Sequence, residues 1–252
     1  MIDYIYKTYD SVTSTNDVAK QLINDYCPEG TIIYTKEQTD GRGRSGRVWQ
    51  DTNGQTLATS LVLYPTLPQE YISCITLVAA LSVRAAIKKF CGLSCKIKWP
   101  NDIICCGKKV CGILTERLFV EAKSAVIVGI GVNVKNHSFP EELEDKATSL
   151  LIELEEDEES LSREKLLYLI WDKFNEYYDI FIKSGNMAAL VEEYNDYLVN
   201  VGRVVKAYDL IEDIEGVALG INEKGELLIS TGQGKRAVAS GEVTVRGLYS
   251  YV

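Results

Sequence analysis

Histidine is nearly absent from this sequence, and its cysteines are not arranged as metal ligands usually are. His137 is the one histidine among 252 residues, and no two of the seven cysteines have the spacing of a CxxC pair. A structural zinc site normally takes four cysteine or histidine ligands at close spacing. The sequence therefore does not predict a metal site, and we interpret most of the cysteines as small buried apolar residues.

A secretory signal and a long apolar run are also missing. Residues 1–10 hold no basic segment followed by an apolar core, which a signal peptide requires. No stretch approaches the roughly 18 consecutive apolar residues of a membrane-spanning helix. Because an odd number of cysteines without a signal favours reduced thiols, we expect a cytoplasmic protein with no membrane span.

Positive charge is in short supply over the chain as a whole. The net charge is −9 and the isoelectric point is near 4.9. A protein that binds nucleic acid without sequence preference usually carries a broad basic surface. The composition argues against that class, although one short segment concentrates arginine.

The predicted elements indicate a large α+β domain followed by a small β module. Hydrophobic residues make up 46% and charged residues 25% of the chain, as in ordinary globular proteins. Apolar periodicity predicts strands at 31–38, 56–63 and 125–134 and long helices at 71–90 and 162–183. Beyond residue 202, five short β runs separated by turn residues indicate an SH3-like barrel. We divide the chain into residues 1–200 and 201–252.

Three further segments complete this outline. Short strands at 95–99 and 103–106 precede a tight turn, from which 110–118 should return as a hairpin partner. Residues 135–160 are polar and irregular, and six of the ten residues from 151 to 160 are acidic. We interpret that acidic run as a solvated lead-in to the next helix. A shorter helix is predicted at 187–199.

The segment 41–49, GRGRSGRVW, is the most informative part of the sequence. It contains three arginines and no acidic residue. It also contains the pattern GxGxxG, but a dinucleotide-binding loop would open an apolar helix after its third glycine, and a Walker A loop would end in Gly-Lys-Ser/Thr. Glycines permit close backbone approach, and guanidinium groups suit phosphate oxygens. We therefore predict an anion-binding loop, with a flexible solvated loop as the alternative.

A second cluster, KWPND at residues 98–102, lies at a predicted strand end. The hairpin that follows would bring Lys109 back to Asp102. A surface ion pair is one interpretation of this pair, since such pairs are common and weak. Active sites of α/β proteins often lie at strand ends, so the other interpretation is that Asp102 and Lys109 act together in an active site.

Two more clusters are less specific on their own. Gly129 and Gly131 interrupt an apolar strand, which indicates a bulge or the close approach of another group. Ser14, Thr15 and Asn16 precede an apolar helical segment, so the local sequence favours a helix N-cap over a ligand site.

Taken together, these clusters resemble the biotin–protein ligase family. The matching pieces follow the order STN at 14–16, Gln38, the 41–49 segment, KWPND at 98–102, Lys109 with GIL at 112–114, and GIGVN at 129–133. The resemblance implies a mixed-sheet catalytic domain of the biotin/lipoate ligase type with a C-terminal SH3-like barrel. It also implies an ATP-dependent, AMP-forming biotin–[acetyl-CoA-carboxylase] ligase.

The resemblance implies two steps and assigns residues to them. Biotin and Mg-ATP would give biotinyl-5′-AMP, and a lysine of a biotin carboxyl carrier protein would then take the biotin. The catalytic residues would be Lys109, Arg44 and Asp102. The biotin site would comprise Ser14, Thr15, Asn16, Gln38, Gly41, Arg42, Gly43, Arg44, Lys109, Gly112 and Ile113. The ATP site would comprise Arg42, Arg44, Arg47, Trp49, Asn101, Lys109 and Asn133, and Asp102 would orient Lys109 or the incoming amine, or hold magnesium.

Two departures from the family pattern bear on function. Residues 55–58 read QTLA where the family has an Asn-Leu-Tyr-like strand start, so an aromatic wall near Ala58 is missing or supplied elsewhere. The chain also lacks the winged-helix domain of repressor members, so we expect a monofunctional ligase, monomeric or dimeric, that does not bind DNA. The alternatives are a lipoate ligase or octanoyltransferase, a non-catalytic biotin sensor, and a DNA-binding regulator.

Overall fold

The computed structural model describes residues 1–49, 54–120, 123–154, 158–208, 213–240 and 244–247. Within them the strands are β1 (Ile5–Val12), β2 (Thr31–Gln38), β3 (Gly41–Arg42), β4 (Val48–Trp49), β5 (Thr56–Leu63), β6 (Lys96–Lys98), β7 (Asp102–Cys105), β8 (Lys108–Val120), β9 (Lys123–Asn133), β10 (Val204–Tyr208), β11 (Ile214–Ile221), β12 (Leu227–Thr231), β13 (Gly234–Val238) and β14 (Thr244–Gly247). The helices are α1 (Thr15–Asn24), α2 (Cys74–Cys91), α3 (Glu141–Glu144), α4 (Leu150–Leu154), α5 (Arg163–Ser184) and α6 (Val191–Tyr197). Residues 155–157 of the predicted acidic run at 151–160, and Val243 at the start of the last predicted strand, lie outside the described residues.

The predicted α+β architecture with a mixed sheet is confirmed. Seven strands form the large sheet in the order β1-β2-β5-β9-β8-β7-β6. The β1–β2 pair is parallel, whereas the remaining neighbours are antiparallel. A second, five-stranded antiparallel sheet has the order β13-β12-β11-β10-β14, in agreement with a small SH3-like C-terminal module. All five predicted short strands of this module are present.

The core lies on both faces of the large sheet. Helices α2 and α5 cover one face, where Leu81, Trp171 and Phe174 are fully buried. Helix α1 covers part of the other face and packs Ile23 against Val62. Because β5 lies between β2 and β9, all eight of its residues are buried. The polar residues of that strand therefore need partners inside the protein.

One helical stretch is long and apolar enough, by length and composition alone, to cross a membrane. It is Gln69–Cys91, which contains an apolar window of 18 residues. The window is 72% buried inside the protein, since α2 packs between the sheet and α5. Burial of this kind is typical of a core helix.

The structure differs from the predicted elements in three places. Strand β1 was not predicted, because it is an edge strand with mostly exposed side chains and little alternation. The segment 135–160 is not wholly irregular, since it contains α3 and α4. Helix α6 begins later than predicted, because the Asn186 side chain accepts a hydrogen bond from Ala188 N at 2.8 Å and holds a turn there.

The C-terminal module is joined to the large domain by buried polar contacts. The indole of Trp99 donates to the Gly225 carbonyl at 3.1 Å, and Met187 N donates to the Glu223 carbonyl at 2.9 Å. A Cβ at Gly225 would lie 2.7 Å from Leu77 Cδ1. The turn between β11 and β12 therefore fits closely against α2.

Candidate active site

A cavity of about 770 Å³ lies at one end of the large sheet. It gathers residues from α1, from the 41–49 segment, from β5, β8 and β9, and from the turn after β6. The predicted site residues that line it are Ser14, Thr15, Asn16, Gln38, Arg42, Gly43, Arg44, Arg47, Trp49, Asn101, Asp102, Lys109, Gly112, Ile113 and Asn133. Gly41 is the exception, since it lines an adjoining shallow groove instead. Their individual roles stay predictions.

The N-terminal end of the cavity is a network of short polar side chains. Gln38 Oε1 accepts from Thr15 N at 2.9 Å. The Ser60 hydroxyl lies 2.7 Å from Thr15 Oγ1 and 2.6 Å from Asn16 Oδ1. Asn16 in turn donates to Glu116 Oε2 at 2.7 Å. These contacts fix polar groups at the buried end of the cavity, where a ligand with amide or carbonyl groups could pair with them.

Ser60 was not predicted from the sequence as part of this network. The position of Asn16 explains why residue 129 is a glycine. Ser60 is a fully buried polar residue between Ala58 and Val62 on one face of β5, and a serine in such an apolar surrounding was the available signal. A Cβ at Gly129 would lie only 2.2 Å from Asn16 Oδ1. The glycine in β9 is therefore needed because the Asn16 side chain packs directly on the strand.

The N-cap interpretation of residues 14–16 is correct only for the backbone. Ser14 occupies the N-cap position of α1, and its carbonyl accepts from Asp17 N and Val18 N at 3.1 Å each. Its side chain makes no capping hydrogen bond. Ser14, Thr15 and Asn16 are all at most 4% exposed, so their side chains line the cavity and do not face solvent.

We expect Ser60→Ala to lower stability by about 1–3 kcal/mol, because Thr15 and Asn16 would lose a buried partner. The resemblance to biotin–protein ligases implies that the KM for biotin should also rise, since the same network faces the cavity. Ser82→Ala is the matched control: its buried hydroxyl bonds only back to the Val78 carbonyl within α2. Urea unfolding and biotin kinetics of both variants provide the measurement. A biotin KM equally raised in Ser82→Ala would contradict the assignment.

The Gly/Arg segment is a small hairpin and not a strand-to-helix loop. Gly41 pairs with Trp49 and Arg42 with Val48, around a single 3₁₀ turn at Arg44–Gly46. The third glycine thus leads into β4, which excludes the dinucleotide-binding geometry. A Cβ at Gly41 would lie 2.3 Å from the Trp49 carbonyl oxygen. Gly41 therefore permits the close pairing of the hairpin strands.

Arg44 connects the hairpin to two other parts of the molecule. One guanidinium nitrogen donates to Asn101 Oδ1 at 3.3 Å, and another donates to the Ser240 carbonyl at 2.6 Å. Burial lowers the pKa of Arg44, while the Asp102 charge opposes that effect. A guanidinium keeps its proton at neutral pH in any case. Arg44 thus supplies a positioned, partly desolvated cation.

Arg42 and Lys20 form a charged rim beside this cation. Arg42 Nη2 lies 3.0 Å from Asp17 Oδ2, and Lys20 Nζ lies 2.8 Å from Glu116 Oε1. The Arg42 side chain is 51% exposed, so its ion pair is weak and easily exchanged for another anion.

Trp49 lies flat on a shelf made by two glycines in neighbouring strands. A Cβ at Gly131 would lie 2.6 Å from Trp49 Cε2, and a Cβ at Gly112 would lie 2.8 Å from Trp49 Cζ3. Lys109 Nζ is 5.4 Å from the indole ring centroid. Among the described residues, no hydrogen-bond acceptor reaches Trp49 Nε1. The shelf therefore presents an aromatic surface to the cavity, while the indole N–H is buried beside Gly131.

We expect Gly131→Ala to displace Trp49, because overpacking costs on the order of 1–3 kcal/mol. With the ATP site that the resemblance implies, kcat/KM for ATP should fall by about tenfold. Gly232→Ala is the control, since a Cβ at Gly232 would have no described atom within 4 Å. Trp99 and Trp171 are fully buried, so fluorescence quenching by acrylamide should report on Trp49. An unchanged quenching profile and unchanged ATP kinetics in Gly131→Ala would contradict this role of the shelf.

Asp102 and Lys109 form an ion pair inside the cavity, with Lys109 Nζ 2.6 Å from Asp102 Oδ1. The side chains are 15% and 24% exposed, so the interpretation as an outer-surface pair does not hold. A register shift in the β7–β8 hairpin places Lys109 opposite Ile104. Lys109 N donates to the Lys146 carbonyl at 2.8 Å, and Thr148 N donates to the Lys109 carbonyl at 2.9 Å. The backbone of Lys109 is therefore held on both sides.

Most residues at the end of the cavity opposite the polar network were not predicted from the sequence. Asn133 was predicted, and its amide donates to the Thr148 carbonyl at 2.9 Å. The lining residues that were not predicted there are Asn136, Phe139, Pro140, Leu143, Asp145, Lys146 and Ala147. Two apolar residues in a polar segment, Phe139 and Leu143, were the available signal. Ala58 also lines the cavity, and the aromatic residues that line it are Trp49, Trp99 and Phe139.

Comparison with known proteins identifies relatives of both parts of the chain. The model of the biotin/lipoate A/B protein ligase family matches residues 8–133, and that of the biotin protein ligase C-terminal domain matches residues 201–246. The bifunctional ligase/repressor BirA of Bacillus spizizenii is 36% identical over 237 residues, 93% of this chain and 72% of the relative. The biotin–[acetyl-CoA-carboxylase] ligase of Paracoccus denitrificans is 29% identical over 93% of this chain and 98% of its own. The biotin protein ligase from Aquifex aeolicus in complex with biotin and ATP has a TM-score of 0.83 at 30% identity, over 96% of this chain and 98% of that chain.

Proposed function

We propose a mechanism for this chain, which belongs to the biotin/lipoate A/B protein ligase family. In this mechanism the cavity joins biotin to ATP and then transfers biotin to an acceptor lysine. The chain is an ATP-dependent biotin–protein ligase. One observation carries the residue roles: the Gly/Arg hairpin, the KWPND turn and Lys109 meet in one cavity. The lipoate alternative is not favoured, since the relatives of this chain include proteins named biotin ligases.

In the first step a biotin carboxylate oxygen attacks the α-phosphorus of ATP, and pyrophosphate leaves with the electrons of the broken P–O bond. Two anions must approach each other, so positioned cations contribute more than a covalent nucleophile would. Arg44, Arg47 and Lys109 supply these cations at the cavity wall. No histidine is among the described residues that line the cavity, and this chemistry needs none.

The two ends of the cavity suit the two substrates. We assign biotin to the polar network of Thr15, Asn16 and Gln38, whose small donors and acceptors match a ring carbonyl and amides. We assign the nucleotide to the end near Trp49 and Asn133, where aromatic surface and apolar side chains of the 139–147 segment are available. The reacting carboxylate and α-phosphate would then lie near Lys109.

Asp102 would act in the second step. The acceptor lysine amine attacks the acyl carbon, the bond to the phosphate oxygen breaks, and AMP leaves. The attacking amine must lose a proton, and the Asp102 carboxylate lies within the cavity beside Lys109. We assign Asp102 to orienting that amine as well as Lys109.

Magnesium would enter with ATP. Mg²⁺ is usually held by one or two carboxylates together with substrate phosphates, and Asp102 is a carboxylate of this kind at the cavity wall. The residues therefore fit the ion, which would supply charge neutralisation on the phosphates.

The remaining assignments concern binding partners, cellular location and the domain boundary. The acceptor would be a biotin carboxyl carrier protein. We propose that the chain, as a monomer or a homodimer, does not bind DNA, which its net charge of −9 supports. Its seven free cysteines support a cytoplasmic location. We place the boundary between catalytic domain and C-terminal module after residue 200.

Mass spectrometry of the protein after incubation with biotin and Mg-ATP tests the proposal. We expect bound biotinyl-AMP, and transfer of biotin when the acceptor is added. Lipoate in place of biotin is the matched control and should give no adenylate. Adenylate formed from lipoate but not from biotin would overturn the substrate assignment. Biotin binding without AMP formation would instead support a sensor.

A further inference from the structure

Outside the cavity, three cysteines near the ends of two strands come together with a carboxylate from a helix. Cys105 ends β7, Cys106 follows it in the turn, and Glu153 belongs to α4. One ligand atom from each of these three residues lies within 4.8 Å of the other two. Cys95 precedes β6 and lies next to Cys105 across the β6–β7 pair, so its thiol is available as a fourth donor.

The strand pairing explains why the thiols converge. The β6–β7 register pairs Lys96 with Ile104, so the next antiparallel position places Cys95 opposite Cys105. Successive side chains of a strand normally point to opposite faces. Cys106 has a φ of +47°, in the left-handed region, which breaks the alternation and brings its thiol to the same side as Cys105.

The donor set matches a thiophilic cation and does not match magnesium. Thiolates select zinc and similar soft ions, whereas Mg²⁺ prefers oxygen ligands. Tetrahedral zinc with Zn–S bonds of about 2.3 Å places its ligand atoms about 3.8 Å apart. The ligand atoms of Cys105, Cys106 and Glu153 lie within 4.8 Å of one another, so small rotations of these side chains would bring them to the spacing that zinc requires.

Two features around the cluster would suit a metal ion: an oriented carboxylate and a path from solvent. Glu153 Oε1 accepts a hydrogen bond from Thr148 Oγ1 at 2.6 Å, which orients the carboxylate as an outer-shell partner does. Cys95 and Cys105 are buried, whereas Cys106 is exposed. An ion could thus enter from solvent at Cys106 and be bound by the buried thiols and the Glu153 carboxylate.

We propose that Cys95, Cys105, Cys106 and Glu153 form a binding site for one zinc ion. Such a site would give these cysteines a role besides that of small apolar residues. It joins the β7–β8 turn to α4, and it does not include any residue of the cavity network or of the Asp102–Lys109 pair. Its ligands are therefore distinct from the residues assigned to biotin transfer.

Cobalt titration of the reduced, metal-free chain tests this site, because cobalt binds such ligands less tightly than zinc does. We expect a sulfur-to-cobalt charge-transfer band that saturates at one cobalt per chain and disappears on addition of one equivalent of zinc. Zinc should also raise the thermal unfolding midpoint. Cys106→Ser and Glu153→Gln should each weaken cobalt binding by at least about tenfold, the lower end of the effect of losing an outer-shell partner.

Cys91→Ser and Cys27→Ser are the matched controls, since neither cysteine belongs to the cluster, and both variants should titrate like the parent chain. The absence of a charge-transfer band in the parent chain would overturn the proposal. So would equal weakening in Cys91→Ser, which would indicate non-specific thiol binding. Neither result would bear on ligase activity, because the titration uses no biotin or ATP.

Discussion

Lys109→Ala is expected to lower the rate of biotinyl-AMP formation by at least about 100-fold, with the fold intact. Removing a positioned donor that stabilises developing charge costs about 10²–10³ in rate. Lys109 is the cation that the hairpin places beside Asp102, 2.6 Å from its carboxylate. Its backbone is held by Lys146 and Thr148, so loss of the side chain should leave the hairpin in place.

Lys108→Ala is the matched control for this variant. Lys108 is the preceding residue on the same strand, but its side chain donates to the Glu144 carbonyl at 2.8 Å and does not line the cavity. Single-turnover measurement of pyrophosphate release should show a large loss in Lys109→Ala and parent-like rates in Lys108→Ala. A normal adenylate yield in Lys109→Ala, with unchanged circular dichroism, would remove Lys109 from the mechanism.

Arg44→Ala should have the second large effect, a fall of about 100-fold in adenylate formation together with faster loss of bound biotinyl-AMP. The first effect follows from loss of a cation near the reacting anions. The second follows because Arg44 ties the hairpin to Asn101 and Ser240. Without these two contacts the hairpin would exclude water less well, and an acyl-adenylate is prone to hydrolysis.

Two variants separate the charge of Arg44 from its geometry. Arg44→Lys keeps the charge but lacks the planar fork that reaches two acceptors at once, so it should recover part of the rate and still leak the adenylate. Arg117→Ala is the surface control, because Arg117 bonds to Ser124 at 2.7 Å and lies over the Phe119 ring. Quench-flow and gel filtration with labelled ATP provide both readouts. Leakage from Arg44→Ala equal to that of the parent chain would exclude the hairpin from retaining the intermediate.

The local motifs were predictable because their chemistry is carried by neighbouring residues. Three arginines within 41–49 indicated an anion site whatever the fold. The tight turn predicted at residues 107–108 was enough to bring Lys109 towards Asp102, and the structure shows that approach with the turn at residues 106–107. The alternating pattern of the C-terminal strands was equally local, which is why all five were found.

The rest of the site depends on contacts between distant parts of the chain. Ser60 acquires its role only when β5 places it beneath Thr15, 45 residues away. The glycine at 129 is explained only by Asn16 packing on β9. No periodicity in one segment reports such a pairing, and the same holds for the convergence of Cys95 with Cys105.

The Arg44–Ser240 contact has a consequence for the order of folding. The two residues are 196 positions apart, and closing such a long loop is entropically costly until many other contacts exist. Residue 240 also leaves the ribosome last among the groups that hold the hairpin. During refolding, helical structure should therefore return first, and adenylate synthesis should recover only with the slowest long-range pairing. The Gly/Arg hairpin is therefore complete only after residue 240 has been synthesised.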